Sequence, residues 1–70
     1  MKKIMNVKHN PYFLEAFFDE NAKAAPYMLY TVYVSPDRYG YPAKHRRLLV
    51  KADRIEQVFS FIAAMPGKAV

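Results

Sequence analysis

One stretch decides how the chain folds: residues 53–67, with the sequence DRIEQVFSFIAAMPG. Its apolar side chains recur at the spacing of one helix face. These are Ile55, Val58, Phe59, Ile62 and Met65, with Phe61 beside them. Polar residues occupy the other side, so the pattern predicts an amphipathic helix. We expect Phe59 and Ile62 to face the surface on which this helix packs.

Both ends of the helix carry recognisable signals. Asp53 is a good N-cap residue, and Glu56 stands three residues later, as in a capping box. Pro66 and Gly67 follow the last apolar residue, and this pair is typical of a helix end. The sequence therefore predicts a helix over residues 53–65.

Two strand-like runs precede the helix. Residues 28–34, MLYTVYV, are rich in β-branched and aromatic side chains, and residues 44–51 alternate regularly. The alternation sets Arg46, Leu48 and Val50 on one face, with His45, Arg47, Leu49 and Lys51 on the other. Residues 35–38 fit a β-turn, and Gly40 can adopt positive φ. A hairpin with a loop over residues 36–43 is predicted.

The first third of the chain fits two descriptions. As a helix, it begins at Asn10 and Pro11 and carries an apolar stripe made of Phe13, Leu14, Phe17 and Phe18. As a strand, it alternates on one face through Tyr12, Leu14, Ala16 and Phe18. We favour the strand, because a two-stranded hairpin alone is a poor platform for a helix. Residues 3–8 add a further edge strand in this interpretation.

The predicted fold class is therefore α+β, in one domain over residues 1–70. It consists of a small antiparallel sheet, made of the hairpin and one or two N-terminal strands, with the C-terminal helix packed on one face. Seventy residues leave no room for a second core. The chain has no cysteine, which excludes disulfides and thiolate metal sites. His9 and His45 are far apart in sequence, so neither a metal site nor a cofactor is expected.

The formal net charge of +5 is concentrated in the second half of the chain. Residues 1–35 carry four cations and three carboxylates, whereas residues 36–70 carry seven cations and three carboxylates. Such a field favours an acidic partner, either nucleic acid or an acidic protein surface. A net charge of this size is also ordinary for keeping a small domain in solution.

Neither catalysis nor membrane insertion is predicted. No G-x-S-x-G, Walker or H-E-x-x-H pattern occurs, so we expect a protein that is not an enzyme. Polar residues follow the first lysines before any apolar stretch develops, unlike a signal peptide. No run approaches the roughly 20 apolar residues that span a bilayer. We therefore expect a cytoplasmic protein.

The segment over residues 38–54 interleaves basic and aromatic side chains. Its candidate binding residues are Arg38, Tyr39, Tyr41, Lys44, Arg46, Arg47 and Lys51. Arginine suits phosphate, and exposed tyrosine stacks on bases. The same residue types are enriched at protein hot spots, and positive charges also protect a hairpin edge from aggregation. Nucleic acid, a protein partner and a solvated edge all remain open.

The first half of the chain offers more apolar surface than one helix covers. We expect Phe13, Phe17, Leu29 and Tyr33 to supply this excess in the strand interpretation. Contiguous exposed aromatics often mark an interface. A homodimer through the helix-free face, or docking of that face on a partner, is therefore predicted.

The order of elements resembles a family of small phage anti-CRISPR proteins that block type I surveillance complexes. The matching pieces are Met1-Lys2 with Ile4, Glu56-Gln57 early in the helix, and an aromatic helix face closed by Met65-Pro66-Gly67. The resemblance implies an inhibitor without enzymatic activity, encoded by a phage or mobile element and acting in the host cytoplasm. Its partner would be a nucleic-acid-handling protein complex. The competing interpretation is a small basic nucleic-acid-binding module that uses residues 38–54.

Overall fold

The structure is a computed structural model that describes residues 1–66 and the backbone of residues 68–69. Its elements are β1 (Lys2–Asn10), β2 (Tyr12–Phe18), β3 (Tyr27–Pro36), β4 (Pro42–Ala52), α1 (Ile55–Ala64) and β5 (Lys68–Ala69). The strands form one antiparallel sheet in the order β4-β3-β2-β1-β5, and α1 packs on it. The predicted α+β class is confirmed. None of the helices in the described part of the chain is long and apolar enough to cross a membrane.

The N-terminal third forms strands, so the helical alternative for this region is wrong. β2 is hydrogen-bonded to β1 on one side and to β3 on the other. Alternate residues of β2 therefore point to opposite faces of the sheet. Leu14 and Ala16 are buried under the helix, while Phe13 points to the other face. β1 is longer than the predicted strand over residues 3–8, and it meets β5 at its C-terminal end.

The core lies between the helix and one side of the sheet. Its buried members are Leu14, Ala16, Leu29, Ala52, Val58 and Ile62. Met5 and Val7 extend it along β1, and Phe61 and Met65 extend it along the helix side. The sheet thus has one face under α1 and one face that the helix does not cover.

The helix is shorter than predicted, and its cap differs. Arg54 is the N-cap, and the side chain of Gln57, not Glu56, reaches back over it. Gln57 Oε1 accepts hydrogen bonds from the backbone N–H of Asp53 at 2.9 Å and of Arg54 at 3.2 Å. Asp53 does not cap, because its carboxylate accepts the backbone N–H of Ala25 in the β2–β3 loop.

The C-terminal end of α1 agrees with the predicted stop. The helix ends at Ala64, and Met65 is the C-cap with an extended backbone. Pro66 follows, where a helix cannot readily continue. The other half of the predicted stop signal, Gly67, lies outside the described residues.

The prediction that Ile62 and Phe59 face the sheet is confirmed for Ile62 and wrong for Phe59. Phe59 is 50% exposed, whereas Val58 is fully buried. Successive helical residues are about 100° apart, so a stripe centred on Val58 leaves Phe59 at its edge. Phe61 and Met65 fill the opposite flank of the stripe against the sheet.

A β-bulge in β4 overturns the predicted alternation of that strand. The pairing of β3 with β4 shifts between Leu29, which faces Val50, and Tyr30, which faces Leu48. Leu49 is therefore an extra residue, and a bulge of this kind changes the face of every residue beyond it. Val50 lies on the helix side and not with Arg46 and Leu48.

The predicted apolar excess is divided between the two faces. Leu29 is completely buried under the helix, and Tyr33 is on the same side of β3. Phe13 and Phe17 lie on the opposite side of the sheet. The prediction that these four residues form one exposed set is wrong, because adjacent strands pair Phe17 with Met28 and not with Leu29.

Candidate binding surface

We call the side of the sheet away from α1 the helix-free face. Three rows of paired residues cross it from β1 to β4, followed by a shorter row on β3 and β4. The rows are Lys8, Phe13, Val32, Arg46; Asn6, Glu15, Tyr30, Leu48; Lys3, Phe17, Met28, Lys51; and Val34, Lys44. Cations thus stand on β1 and β4, which we call the outer strands because they flank these rows, and aromatic rings stand on β2 and β3 between them.

This face carries most of the excess charge of the chain. Its cations are Lys3, Lys8, Lys44, Arg46 and Lys51. Glu15 is the carboxylate among its rows, which gives the face a formal charge of +4 in a chain of +5. Charges of one sign gathered on one face attract an anionic partner and raise its association rate.

The centre of the face is a buried carboxylate held by three cations. Glu15 is only 5% exposed. Its Oε1 accepts a hydrogen bond from Arg46 Nε, and its Oε2 lies 2.7 Å from Lys3 Nζ and 3.8 Å from Lys44 Nζ. The hydrogen bonds from Arg46 and Lys3 lower the pKa of Glu15 from its ordinary value of 4.5 to about 2. Glu15 therefore stays charged and fixes the cations of β1 and β4 across the sheet.

Aromatic rings line the same face. Phe13 is 58% exposed, and Lys8 Nζ lies 5.7 Å from its ring centroid. Phe17 meets Tyr30 edge to face with centroids 5.4 Å apart, and the guanidinium carbon of Arg46 lies 5.8 Å from the Phe17 centroid. Phe17 and Tyr30 are thus packed with each other, whereas the ring of Phe13 is available to a partner.

The structure separates the seven candidate residues that the sequence grouped together. Lys44, Arg46 and Lys51 lie on the helix-free face. Arg47 lies on the helix side, opposite Thr31. Arg38, Tyr39 and Tyr41 belong to the loop between β3 and β4. A pleated strand sends adjacent residues to opposite faces, so one basic segment cannot form one continuous surface.

Sequence reasoning missed the contribution of β1 to this surface. Lys3 and Lys8 were not among the candidates, although they complete its rows, whereas Phe13 was predicted to lie on an apolar interface. The strand alternation contained the signal, because Phe13 and Phe17 fall on the face opposite Leu14 and Ala16. Pairing β1 with β2 then places lysines next to these rings.

The loop between β3 and β4, residues 37–41, forms a closed turn that projects two tyrosines. Asp37 Oδ1 accepts the backbone N–H of Tyr39 at 2.8 Å and of Tyr41 at 3.0 Å. Gly40 has φ of +83°, as its predicted role in the turn requires. Tyr39 and Tyr41 are 76% and 69% exposed. This hairpin tip presents exposed aromatics on an ordered backbone.

The described residues contain no group of three histidine or carboxylate side chains that could hold a metal ion. His9 Nε2 lies 3.3 Å from the carbonyl of Met65, and His45 stacks on Tyr33. Glu15, with its pKa of about 2, is a poor general base at neutral pH.

No protein-family model, curated protein or solved structure matches the chain.

Proposed function

We propose that this chain is a binding protein without enzymatic activity, and that its helix-free face binds single-stranded nucleic acid in the cytoplasm. One observation carries the proposal: cations on both outer strands frame the exposed ring of Phe13 on an uncovered sheet face. Single-strand-binding surfaces combine a positive track for the backbone with aromatic rings on which bases stack.

The arrangement favours a single strand over a duplex. In a duplex the bases stack on each other, so Phe13 has no base face to contact. Lys8 on β1 and Lys44 on β4 lie on the two sides of Phe13. A strand whose base lies on the ring can thus have its phosphates on either side near a cation.

The proposal is tested by fluorescence anisotropy with a labelled oligothymidylate of about eight nucleotides, a length within the ~4–16 nucleotides that an OB fold covers. We expect binding that weakens between about 50 and 200 mM salt, with a slope near −0.7 for each phosphate contacted. A duplex of the same length should bind more weakly. No binding at the lowest salt, or equal binding of the duplex, would overturn the proposal.

Charge-reversal variants locate the surface. Lys8→Glu combined with Lys51→Glu alters both edges of the helix-free face and leaves Glu15 and its partners in place. The matched control is Arg47→Glu with Lys23→Glu, which makes the same charge change on the helix side and in the β2–β3 loop. We expect only the first pair to abolish binding and flatten the salt dependence.

A second candidate function rests on the hairpin tip. We propose it as the alternative in which the chain inhibits a nucleic-acid-handling complex, as the resemblance to anti-CRISPR proteins implies. Tyr39 and Tyr41 favour it, because exposed rings on an ordered loop are suitable anchors for a protein hot spot.

This alternative is tested with a purified, nuclease-treated type I surveillance complex by size-exclusion chromatography. Co-elution that is lost in Tyr39→Ala with Tyr41→Ala, and kept in Lys8→Glu with Lys51→Glu, would support it. Absence of co-elution would contradict it. The reverse pattern, with only the lysine variant defective, would assign the contact to the helix-free face instead.

A further inference from the structure

A groove of about 450 Å³ opens on the helix-free face beside the exposed ring of Phe13. Its lining includes Asn6, Lys8, Phe13, Glu15, Val32 and Lys44. The volume falls within the roughly 300–1,000 Å³ of sites that hold small organic groups. β2 supplies the central wall, with β1 and β3 beside it.

The walls of the groove combine a π face, exposed cations and an amide. Phe13 provides the ring, and Lys8 Nζ lies 5.7 Å above it. The side chain of Lys44 is 58% exposed and 3.8 Å from Glu15, so it can reach a second anion while remaining near the carboxylate. The amide of Asn6 carries both hydrogen-bond donors and an acceptor.

Glu15 does not repel an anionic strand from this groove. Arg46 and Lys3 both engage the Glu15 carboxylate, so the single negative charge is outweighed at the groove itself. The same contacts hold Arg46 and Lys3 at the carboxylate. Lys8 and Lys44 are therefore the cations best able to turn toward phosphates.

We propose that the groove holds one unstacked nucleobase of a single strand, with the base on Phe13 and the flanking phosphates at Lys8 and Lys44. This inference rests on the proposed function and names the residues that perform it. Lys8 leaves the ring for a phosphate when the base arrives. Because the Asn6 amide can both donate and accept, it can satisfy the edge of any base, and we expect little sequence preference.

The test separates base contacts from phosphate contacts. Binding of an oligothymidylate of about eight nucleotides is compared with binding of an abasic strand of equal length, for wild type and Phe13→Ala. We expect Phe13→Ala to weaken oligothymidylate binding about 5- to 100-fold, as loss of one base–aromatic stack does. Its binding of the abasic strand should change by less than about twofold, since the phosphate contacts remain.

Phe59→Ala is the matched control, because Phe59 is a half-exposed phenylalanine on α1, away from the helix-free face. Phe13→Tyr, which keeps a stacking ring, should bind as wild type does. Phe13→Leu, which keeps apolar bulk without a π face, should be as weak as Phe13→Ala. Folding of each variant is checked by its thermal unfolding.

The outcomes distinguish this inference from the proposed function. If wild type binds the oligothymidylate but Phe13→Ala binds equally well, the groove is not the base site, although the helix-free face still binds the strand. If wild type binds neither strand, both proposals fail. An RNA strand should bind within about threefold of DNA, because base and phosphate make the contacts. A larger preference for either strand would indicate a contact to the sugar. Such a contact would overturn the assignment of binding to base and phosphate contacts alone.

Discussion

Arg46 on β4 donates a hydrogen bond from Nε to Glu15 Oε1 on β2, reaching diagonally across β3. The contact joins an exposed arginine to a carboxylate that is almost completely buried. Together with Lys3 on β1, it ties the two outer strands to the middle of the sheet. The centre of the helix-free face is thus organised by charge, whereas the opposite face is organised by apolar packing.

This contact makes stability depend on pH at the acidic end. The pKa of Glu15 is about 2 in the folded protein and near 4.5 in an unfolded chain. The unfolded state therefore binds more protons between these values, so the stabilisation is complete above about pH 4.5 and is lost as the pH falls toward 2. We expect the free energy of unfolding of wild type to fall more steeply than that of Glu15→Gln over this range, measured by urea unfolding. Parallel curves would contradict the assigned pKa.

At neutral pH we expect Glu15→Gln to lower the free energy of unfolding by about 1.5–3 kcal/mol, the usual range for a hydrogen bond to a charged group. Glu20→Gln is the control. Glu20 is exposed, and its nearest cation is the N-terminal amine at 3.8 Å, so we expect a change below about 0.5 kcal/mol. Equal effects in the two variants would show that burial of Glu15 contributes nothing.

Neighbouring helix residues should differ sharply in their effect on stability. Val58 is fully buried in the core, and Phe59 is half exposed. We expect Val58→Ala to cost about 2 kcal/mol, because it leaves a cavity between α1 and the sheet. Phe59→Ala should cost less than about 1 kcal/mol. Thermal and urea unfolding of the two variants measure these losses of stability. A larger loss in Phe59→Ala than in Val58→Ala would mean that Phe59, and not Val58, faces the sheet.

The hairpin tip should depend on one carboxylate. Asp37→Ala removes the acceptor for the backbone N–H of Tyr39 and Tyr41, so we expect a loss of about 0.5–1.5 kcal/mol. Asp37→Asn, which keeps an acceptor oxygen, should lose less. Tyr39→Ala should leave stability within about 0.5 kcal/mol, since its side chain is largely in solvent. An unchanged unfolding midpoint in Asp37→Ala would mean that these bonds do not order the loop.

Self-association through the helix-free face should be opposed by its charge. Two copies placed face to face would bring together two surfaces of +4, and like charges in contact are unfavourable. We expect sedimentation equilibrium to give a monomer at low salt, where repulsion is least screened. A dimer at low salt that is broken by Phe13→Asp would instead support the homodimer predicted from the apolar residues of the first half.

The sequence predicted the class of fold because its local signals agree with the final packing. The helix α1 and both strands of the hairpin carry recognisable local signals, whereas residues 12–18 fit both a helix and a strand and are assigned to a strand because the sheet needs a third one. The rotation of α1 about its axis was harder to predict, because Phe59 and Phe61 are equally apolar. Only the packing of the helix on the sheet decides which of the two faces the core. Asp53 has the side chain of an N-cap residue, but its carboxylate accepts a hydrogen bond from the backbone N–H of Ala25. The two residues are 28 positions apart, so the local sequence does not predict this contact.

The candidate surface was predicted only in part, for a related reason. The bulge at Leu49 reverses the faces of Val50 and Lys51 relative to a regular strand. No local feature of the sequence predicts this bulge. The pairing of Lys8 with Phe13, and the burial of Glu15 beneath Arg46, arise from neighbouring strands of the sheet. Such contacts require the register, which a single sequence does not provide.

The most direct test of the account is a methyl NMR titration of the labelled protein with a short oligothymidylate. Val32, Val34 and Leu48 report on the helix-free face, whereas Val58 and Ile62 report on the core under α1. We expect the methyl signals of the first three residues to shift as the strand is added, and those of the other two residues to remain in place. Shifts confined to the helix side, or no shifts at low salt, would contradict the claim that the helix-free face binds a single strand.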